Sequence, residues 1–498
     1  MPVRSLPSLT NQAAYLAASK VVGFFIGIAL PMLLARALSP RDYGLFKQTF
    51  LVVGSIVGIL PFGVGMSAFY FLARDRDLHR AAIVNIIIFH SVVGALACTI
   101  LLCFPRVLSI AFPDGRELVA NAPWIGLLVL VTITSALLET VATANRDIRF
   151  STIFLVGAPL SKALFMVVAL LLSPTLLSLI QAALAQALVE GAVFFWYVNY
   201  RFPRYWRAFD SRFFVRQLQY ALPLGFAGLL YIVQMELPSY FVSWRYGAVA
   251  FAFYAVGSFP LPLLAVLRDA VSSVLLSRVS GLQHEGNIAE IRRLNSRVTR
   301  KLMLVYFPSF ALLELCGKDL LVFFYGQQYG SSWPIFRINL LMLPFSVFVN
   351  DPVLRAFAEH RYFLVILRIV SVILLVPGLW LFSKTFGLIG AMIGVVAFSI
   401  AERGILVFWV SRILSASRLE FIALGRAAGR IGASVIVATI LGYATGAIFH
   451  GHSAFALLAI VGIVFSVTYF GAMIMCGALH PDELMLVRQF VTLRWHES

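Results

Sequence analysis

The stretch RFPRYWRAFDSRFFVR, Arg201 to Arg216, sets five arginines against one aspartate in a chain that is otherwise almost continuously apolar. On either side, apolar runs long enough to cross a bilayer follow one another with little between them. Lys/Arg-rich loops are retained on the cytoplasmic side during insertion, so the stretch reads as a cytoplasmic hinge between two helical bundles. A loop that is basic only to fix topology is the plainer reading of the same residues.

Composition supports the bundles. The 498 residues are 61% hydrophobic and 12% charged, with a mean hydropathy of +0.92, whereas a soluble domain carries about 25% charged residues. This is the composition of an all-α polytopic membrane protein, and at roughly 20 residues per span the length suits about fourteen helices. A net charge of +17 would suggest nucleic acid in a soluble protein. Here the surplus lies mostly in short loops, where it sets orientation, and nucleic acid is not an expected partner. The opening residues MPVRSLPSLTNQ run into the first span without a small-residue cleavage site, so that span is expected to be its own insertion signal. The cysteines Cys98, Cys103, Cys316 and Cys476 lie in or beside apolar runs without metal-ligand spacing; neither a disulfide nor a metal is expected.

Apolar runs bounded by charged or Pro/Gly-rich turns place six spans near 12–35, 44–72, 81–104, 120–143, 152–173 and 176–200. Six more follow at 219–243, 248–277, 301–317, 333–356, 361–383 and 386–411, and a last pair at 430–449 and 453–477. The expected organisation is thus one bundle over 1–200, a basic linker at 201–218, a second bundle over 219–411, and an accessory pair with a tail at 412–498. With both termini inside, Lys and Arg divide about 25 to 7 between cytoplasmic and opposite loops, as the positive-inside rule requires.

Two loop-to-helix junctions share their spacing: DYGLFKQTFLVVGS, Asp42 to Ser55, and RYGAVAFAFYAVGS, Arg245 to Ser258. Each opens the second span of its half, six helices apart, so the halves would insert the same way up, as parallel repeats. Prolines recur inside the spans, among them Pro31, Pro61, Pro159, Pro260, Pro262 and Pro308. Each removes a backbone hydrogen bond and can kink its helix, which suits a bundle that moves. From Leu282 to Lys301, Ile288, Ile291, Leu294 and Val298 recur at helical spacing among four arginines. That pattern fits a basic amphipathic helix on the lipid surface or a plain connecting helix.

Three motifs carry a family resemblance. LARALSPRDYGLF, Leu34 to Phe46, resembles the first-loop signature of the polysaccharide transporter family, the O-antigen flippase group of the multidrug/oligosaccharidyl-lipid/polysaccharide exporter superfamily. RYGAVAFAFYAVGSF, Arg245 to Phe259, is similar to its counterpart in the second half, and VFFYGQQYGSSWPIFRINLL, Val322 to Leu341, to the family's approach to the tenth span. The resemblance implies two six-helix lobes in a V, related by a pseudo-twofold axis, around a cavity that opens alternately to each side. It also implies two accessory helices, a monomer in the bacterial inner membrane, and a polyprenyl-diphosphate-linked oligosaccharide as cargo.

Seven basic residues fall within the expected spans: Lys20, Lys47, Lys162, Arg268, Arg337, Arg368 and Arg403. Seven acids join them: Glu139, Glu190, Glu236, Asp269, Glu314, Asp351 and Glu402. A basic side chain at the bilayer centre costs about 2.5 to 3.5 kcal/mol on the insertion scale, so these groups need a wet cavity, one another, or the interface. Lys20 lies about 10 Å from the cytoplasmic end of its span at 1.5 Å per residue and could snorkel or face a cavity; Lys47 lies one turn inside the second span and has the same choice. Arg268, deep in the eighth span beyond Pro260 and Pro262, has the least escape to water.

The resemblance implies cations on the first, second and eighth spans, where Lys20, Lys47 and Arg268 stand; lysine at two of these departs from the family's arginines and offers a point charge without a bidentate fork. Fixed cations in a low-dielectric cavity would offset the desolvation of a diphosphate. Glu236, Asp269 and Glu139 are candidates for proton or sodium coupling or for charge pairing, Glu236 with Arg268 among them. Arg268 and Asp269 point about 100° apart on a helix and are expected to serve different neighbours. Glu402 and Arg403 repeat that arrangement and suit structural pairing, and Asp351 and Arg355 should bridge locally. His90, with Asn85, suits an interhelical hydrogen bond better than a proton relay.

No Walker A loop, H-E-x-x-H, G-x-S-x-G or loop carboxylate pair is present, and the loops are too short for a catalytic domain. The expected activity is therefore transport without a cofactor: translocation of a lipid-linked O-antigen, capsule or exopolysaccharide repeat unit. A cation-coupled multidrug antiporter on the same fold is the alternative, and it would want acids where Lys20 and Lys47 stand. A membrane glycosyltransferase or polymerase would need the sizeable loops this chain lacks.

Overall fold

The computed structural model describes residues 9–74, 78–259, 261–449 and 454–478. Among them there is no strand, and helices stand at all fourteen expected spans. By length and composition seven of the described helices could cross a membrane, or nine when two bent pairs each count as one.

Local sequence explains where the helices start. Ser39 caps the second span, its Oγ accepting from the Asp42 N–H at 3.1 Å, with Pro40 at the first helical position. Thr175 with Ser178, and Ser417 with Glu420, form capping boxes for Leu176–Arg201 and Arg418–Ile448. Glycine explains where they break. The second span bends by 50° between Pro40–Ile59 and Val64–Arg74, where Gly63 takes φ +67. The seventh and eighth spans meet at Gly247, φ +77, and the eleventh and twelfth at Gly387, φ +61. Proline is less decisive than its frequency suggests: the seventh span bends by 49° after Pro223, but Pro31, Pro159 and Pro308 lie inside unbroken helices.

By contacts the chain forms two compact units, Met1–Ala255 with Arg368–Ala391, and Val256–Leu367 with Met392–Ser498. In the first unit, residues 64–72 of the second span, 83–87 of the third, 137–144 of the fourth and 194–198 of the sixth share one core. The two Tyr-Gly junctions meet here. A β-carbon on Gly44 would come within 2.0 Å of the Ala248 carbonyl oxygen, so the repeated motifs pack on one another through glycine.

The basic stretch that suggested a hinge is shorter and more firmly held than its sequence implies. Leu176–Arg201 ends at its first residue, a turn covers Tyr205–Arg207, and the next helix begins at Ser211, so residues 211–218 of the expected linker are helical. Asp210 Oδ1 starts that helix by accepting from the N–H groups of Arg212 and Phe213 at 2.8 and 3.0 Å. Phe202 and Tyr205 are buried in the first unit's core, Arg201 bonds Asp147, and Gln217 Nε2 donates to Ser67 Oγ at 2.7 Å. Both flanks of the stretch thus belong to the first unit.

In the second unit the ninth span is one helix, Ile288–Tyr325, of 38 residues. At 1.5 Å per residue it is about 57 Å long, against a hydrocarbon core of about 30 Å. The amphipathic segment expected on the lipid surface is therefore the coaxial start of this span. It is fixed sideways, with Arg292 bonding Glu420 at 2.7 Å and the Leu414 and Ser415 carbonyls at 3.2 and 3.0 Å. The last two spans, Arg418–Ile448 and Ala454–Met475, pack on each other and on the ninth, where Tyr469 Oη donates to the Leu304 carbonyl at 2.9 Å.

Candidate functional site

In the first unit four spans bring charges together. Lys47 stands two turns into Pro40–Ile59, half-buried, its ammonium 6.0 Å over the Tyr43 ring. It lies within electrostatic reach of Glu236 on the seventh span and Lys162 on the fifth. Lys162, on Ile148–Leu172, places its ammonium 4.8 Å from the centroid of Phe50 and is within reach of Glu190 on the sixth span. Buried Gln48 donates to Ser243 Oγ at 2.6 Å and so fixes the second span against the seventh beside Lys47. Farther along the seventh span, Tyr231 carries the Arg368 guanidinium at 4.8 Å.

One turn beyond Glu236 the seventh span lines an apolar cavity of about 240 Å³, with Leu237, Tyr240, Phe241 and Trp244 facing Ile110, Val376 and Leu379. Charge and oil thus lie on neighbouring positions of one helix.

The second unit has its own basic centre. Arg268 and Arg403 act on one another and on Tyr306. Arg403 Nη1 donates to Ser346 Oγ at 2.6 Å, and Tyr306 Oη to the Leu264 carbonyl at 2.7 Å. Two guanidiniums within reach of each other inside spans repel, and Asp269 and Glu402 act on the same cluster and offset part of that repulsion.

Of the sequence candidates, Lys47 and Glu236 come together; the charge that acts on Glu236 is Lys47. Lys20 is in Leu9–Ala37, with its side chain outside the described residues. Arg268 and Asp269, expected to serve different neighbours, lie 3.7 Å apart as a salt bridge, because the arginine side chain is long enough to fold back across the 100° between them. Glu139 is half-buried in the first turn of Leu137–Ala144. Asp351 and Arg355 bridge at 2.6 Å as their spacing suggests, and Glu314 and Arg337 pair at 2.9 Å. His90 bonds the Ile86 carbonyl of its own helix at 2.8 Å, not a neighbouring helix. Lys162 and Glu190 are the residues that sequence reading counts without placing, and Arg403, expected to pair with Glu402, lies within electrostatic reach of both Glu402 and Arg268 and bonds Ser346. Nothing in the order of the chain says that the fifth span faces the second, or the twelfth the eighth.

Comparison with known proteins bears on both the family and the fold. Residues 33–334 match a family model described as polysaccharide biosynthesis protein. No curated protein matches the sequence. Among solved structures, the lipid II flippase MurJ in an inward closed conformation aligns with a TM-score of 0.72 at 14% identity, over 94% of this chain and 98% of its own. An inward-facing multidrug resistance MATE transporter aligns with a TM-score of 0.62 at 16% identity, over 80% of this chain and 95% of its own. A transporter of the same superfamily from Pyrococcus furiosus, described by the reverse polarity of its binding pocket, aligns with 0.56 at 15% identity, over 81% and 96%. At these identities the likeness is one of fold. The family model covers more than half of the chain, and the protein belongs to the polysaccharide biosynthesis family, on the multi-span fold of the multidrug/oligosaccharidyl-lipid/polysaccharide exporter superfamily.

Proposed function

We propose that the protein is a flippase that carries a polyprenyl-diphosphate-linked oligosaccharide, an O-antigen, capsule or exopolysaccharide repeat unit, across the bacterial inner membrane by alternating access. Half-buried cations inside spans carry this reading: Lys47 in one unit and Arg268 beside Arg403 in the other. The idealised cost of moving one ion into a medium of low dielectric constant is about 20 kcal/mol, and fixed opposite charges are the means a protein has of offsetting it. The 240 Å³ apolar cavity next to Glu236 supplies what a lipid tail needs one helical turn from what its headgroup needs. The family works in polysaccharide biosynthesis, and the MurJ structure of the same fold is that of a lipid II flippase.

On this reading both termini lie in the cytoplasm, which the bias of the loop charges supports, the protein is a monomer, and a proton or sodium gradient or removal of cargo on the far side supplies the driving force. Deletion of the gene should remove one surface glycan and leave its lipid-linked precursor in the cytoplasmic leaflet. An unchanged glycan profile, with no precursor accumulating, would end this reading. The in-span carboxylates Glu190 and Glu236 favour a second reading, a cation-coupled multidrug antiporter on the same fold. Gradient-driven uptake of a cationic dye into proteoliposomes, with no flipping of a polyprenyl diphosphate, would select it.

A further inference from the structure

Lys162 is outside the set of cations that the family resemblance singles out, yet the fold sets it beside Lys47. The fifth span runs unbroken through Pro159 and rests the Lys162 ammonium on Phe50 at 4.8 Å, three residues from Lys47 on the second span. The rings of Phe46 and Phe50 are 4.6 Å apart, so the two ammoniums sit along one aromatic strip formed by Tyr43, Phe46 and Phe50. Each lysine has its own carboxylate within electrostatic reach, Glu236 for Lys47 and Glu190 for Lys162.

Two independent structural salt bridges are the bland account of these four groups, and the geometry does not match it. Among the described residues neither lysine forms a salt bridge; each ammonium lies over a ring while its carboxylate acts from beyond contact. A cation over a ring face is held by only about 0.5 to 2 kcal/mol, and its N–H donors stay open to a better acceptor. The two ammoniums also act on each other, a repulsion that two separate pairs would have no reason to keep. A ligand with two linked anionic centres relieves it.

Resting on the flippase reading, we infer that Lys47 and Lys162 form a two-cation clamp for the diphosphate of a polyprenyl diphosphate, one lysine per phosphate. Glu236 and Glu190 are the resident counterions that keep the empty clamp near neutrality and give way when phosphate arrives. A monophosphate can satisfy only one lysine, so the clamp is a device for choosing the diphosphate.

The test uses the purified full-length protein in nanodiscs, with farnesyl diphosphate, farnesyl monophosphate and farnesol as probes and inorganic pyrophosphate as the lipid-free control. The protein should bind the diphosphate in preference to the monophosphate. Lys162→Met should lower diphosphate affinity about tenfold, the effect of one lost charge-assisted contact, and leave monophosphate affinity within about twofold, which collapses the preference. Lys162→Arg should retain the preference, and Glu190→Gln should tighten both phosphates. A Lys162→Met protein with an unchanged ratio of the two affinities, or one whose loss of binding is restored by adding Glu190→Gln, overturns the clamp while leaving the flippase reading in place; the second result marks a structural pair. A wild-type protein that binds farnesol as well as farnesyl diphosphate overturns both. Pyrophosphate that competes as well as the lipid shows a headgroup-only site and supports the clamp.

Discussion

Gly44 and Ala248 are in contact so close that one added methyl would collide with backbone: a β-carbon on Gly44 falls 2.0 Å from the Ala248 carbonyl oxygen. Because the neighbour is main chain, it cannot swing away. Gly44→Ala should therefore separate the second span from the start of the eighth and cost about 2 kcal/mol or more, read as a lower melting temperature and reduced membrane abundance. Gly54→Ala, where a β-carbon meets nothing within 4 Å, should behave as wild type in the same assay.

Arg268 and Arg403 make a prediction about transport. Arg268→Ala should abolish translocation in vivo at normal membrane abundance, since the residue is half-buried and its salt bridge is to an exposed Asp269. Arg403→Ala should cost both abundance and transport, because Ser346 loses its buried donor. Full activity of the Arg268 variant would remove that residue from the site.

At the start of the ninth span, Arg292 and Arg297 are five residues apart and differ in burial. Arg292 keeps 28% side-chain exposure and bonds Glu420 and two carbonyls, whereas Arg297 keeps 62%. Arg292→Ala should destabilise the protein by about 1 to 2 kcal/mol, and Arg297→Ala by no more than about 0.5 kcal/mol. Equal shifts in thermal unfolding would show that the contact with the thirteenth span contributes nothing.

Burial pushes the Tyr205 phenol up from its ordinary pKa of about 10. A raised folded-state pKa means that this group's contribution is fully present below about pH 10 and is lost as pH rises through the folded value, because the unfolded chain ionises first. Unfolding midpoints should begin to fall as pH rises past about 10, and Tyr205→Phe should flatten that part of the profile. A profile that the substitution leaves unchanged would mean that Tyr205 is not the responsible group.

Helix positions are legible because a span is a property of consecutive residues, and an apolar run marks it whatever packs outside; the breaks at Gly63 and Gly387 are not, since the kink signal in the sequence falls on proline. The contact between the two junctions has a local sequence signal too, since Tyr43-Gly44 and Tyr246-Gly247 share their spacing to the following Gly-Ser. Other pairings between helices are not legible. The order of the chain gave Glu236 and Arg268 as possible partners, whereas the charge on Glu236 is Lys47, 189 positions away. Lys162 and Glu190 are counted among the in-span charges that need a cavity, a partner or the interface, but nothing in the sequence says which. The basic stretch misled in another way: its arginines announce a loop, but Tyr205 and Phe202 between them are core residues, and an aromatic among charges gives no sign of which will govern.

Tyr205 and Gln217 turn the arginine-rich connector into a weld. With its ring seated in the first unit's core and the following helix tied to Ser67, it offers no slack, and both of its ends lie in the same unit. The polypeptide passes between units near residues 255, 367 and 391, none of them in this stretch. The best-charged stretch of the sequence is therefore an internal strut of a single unit.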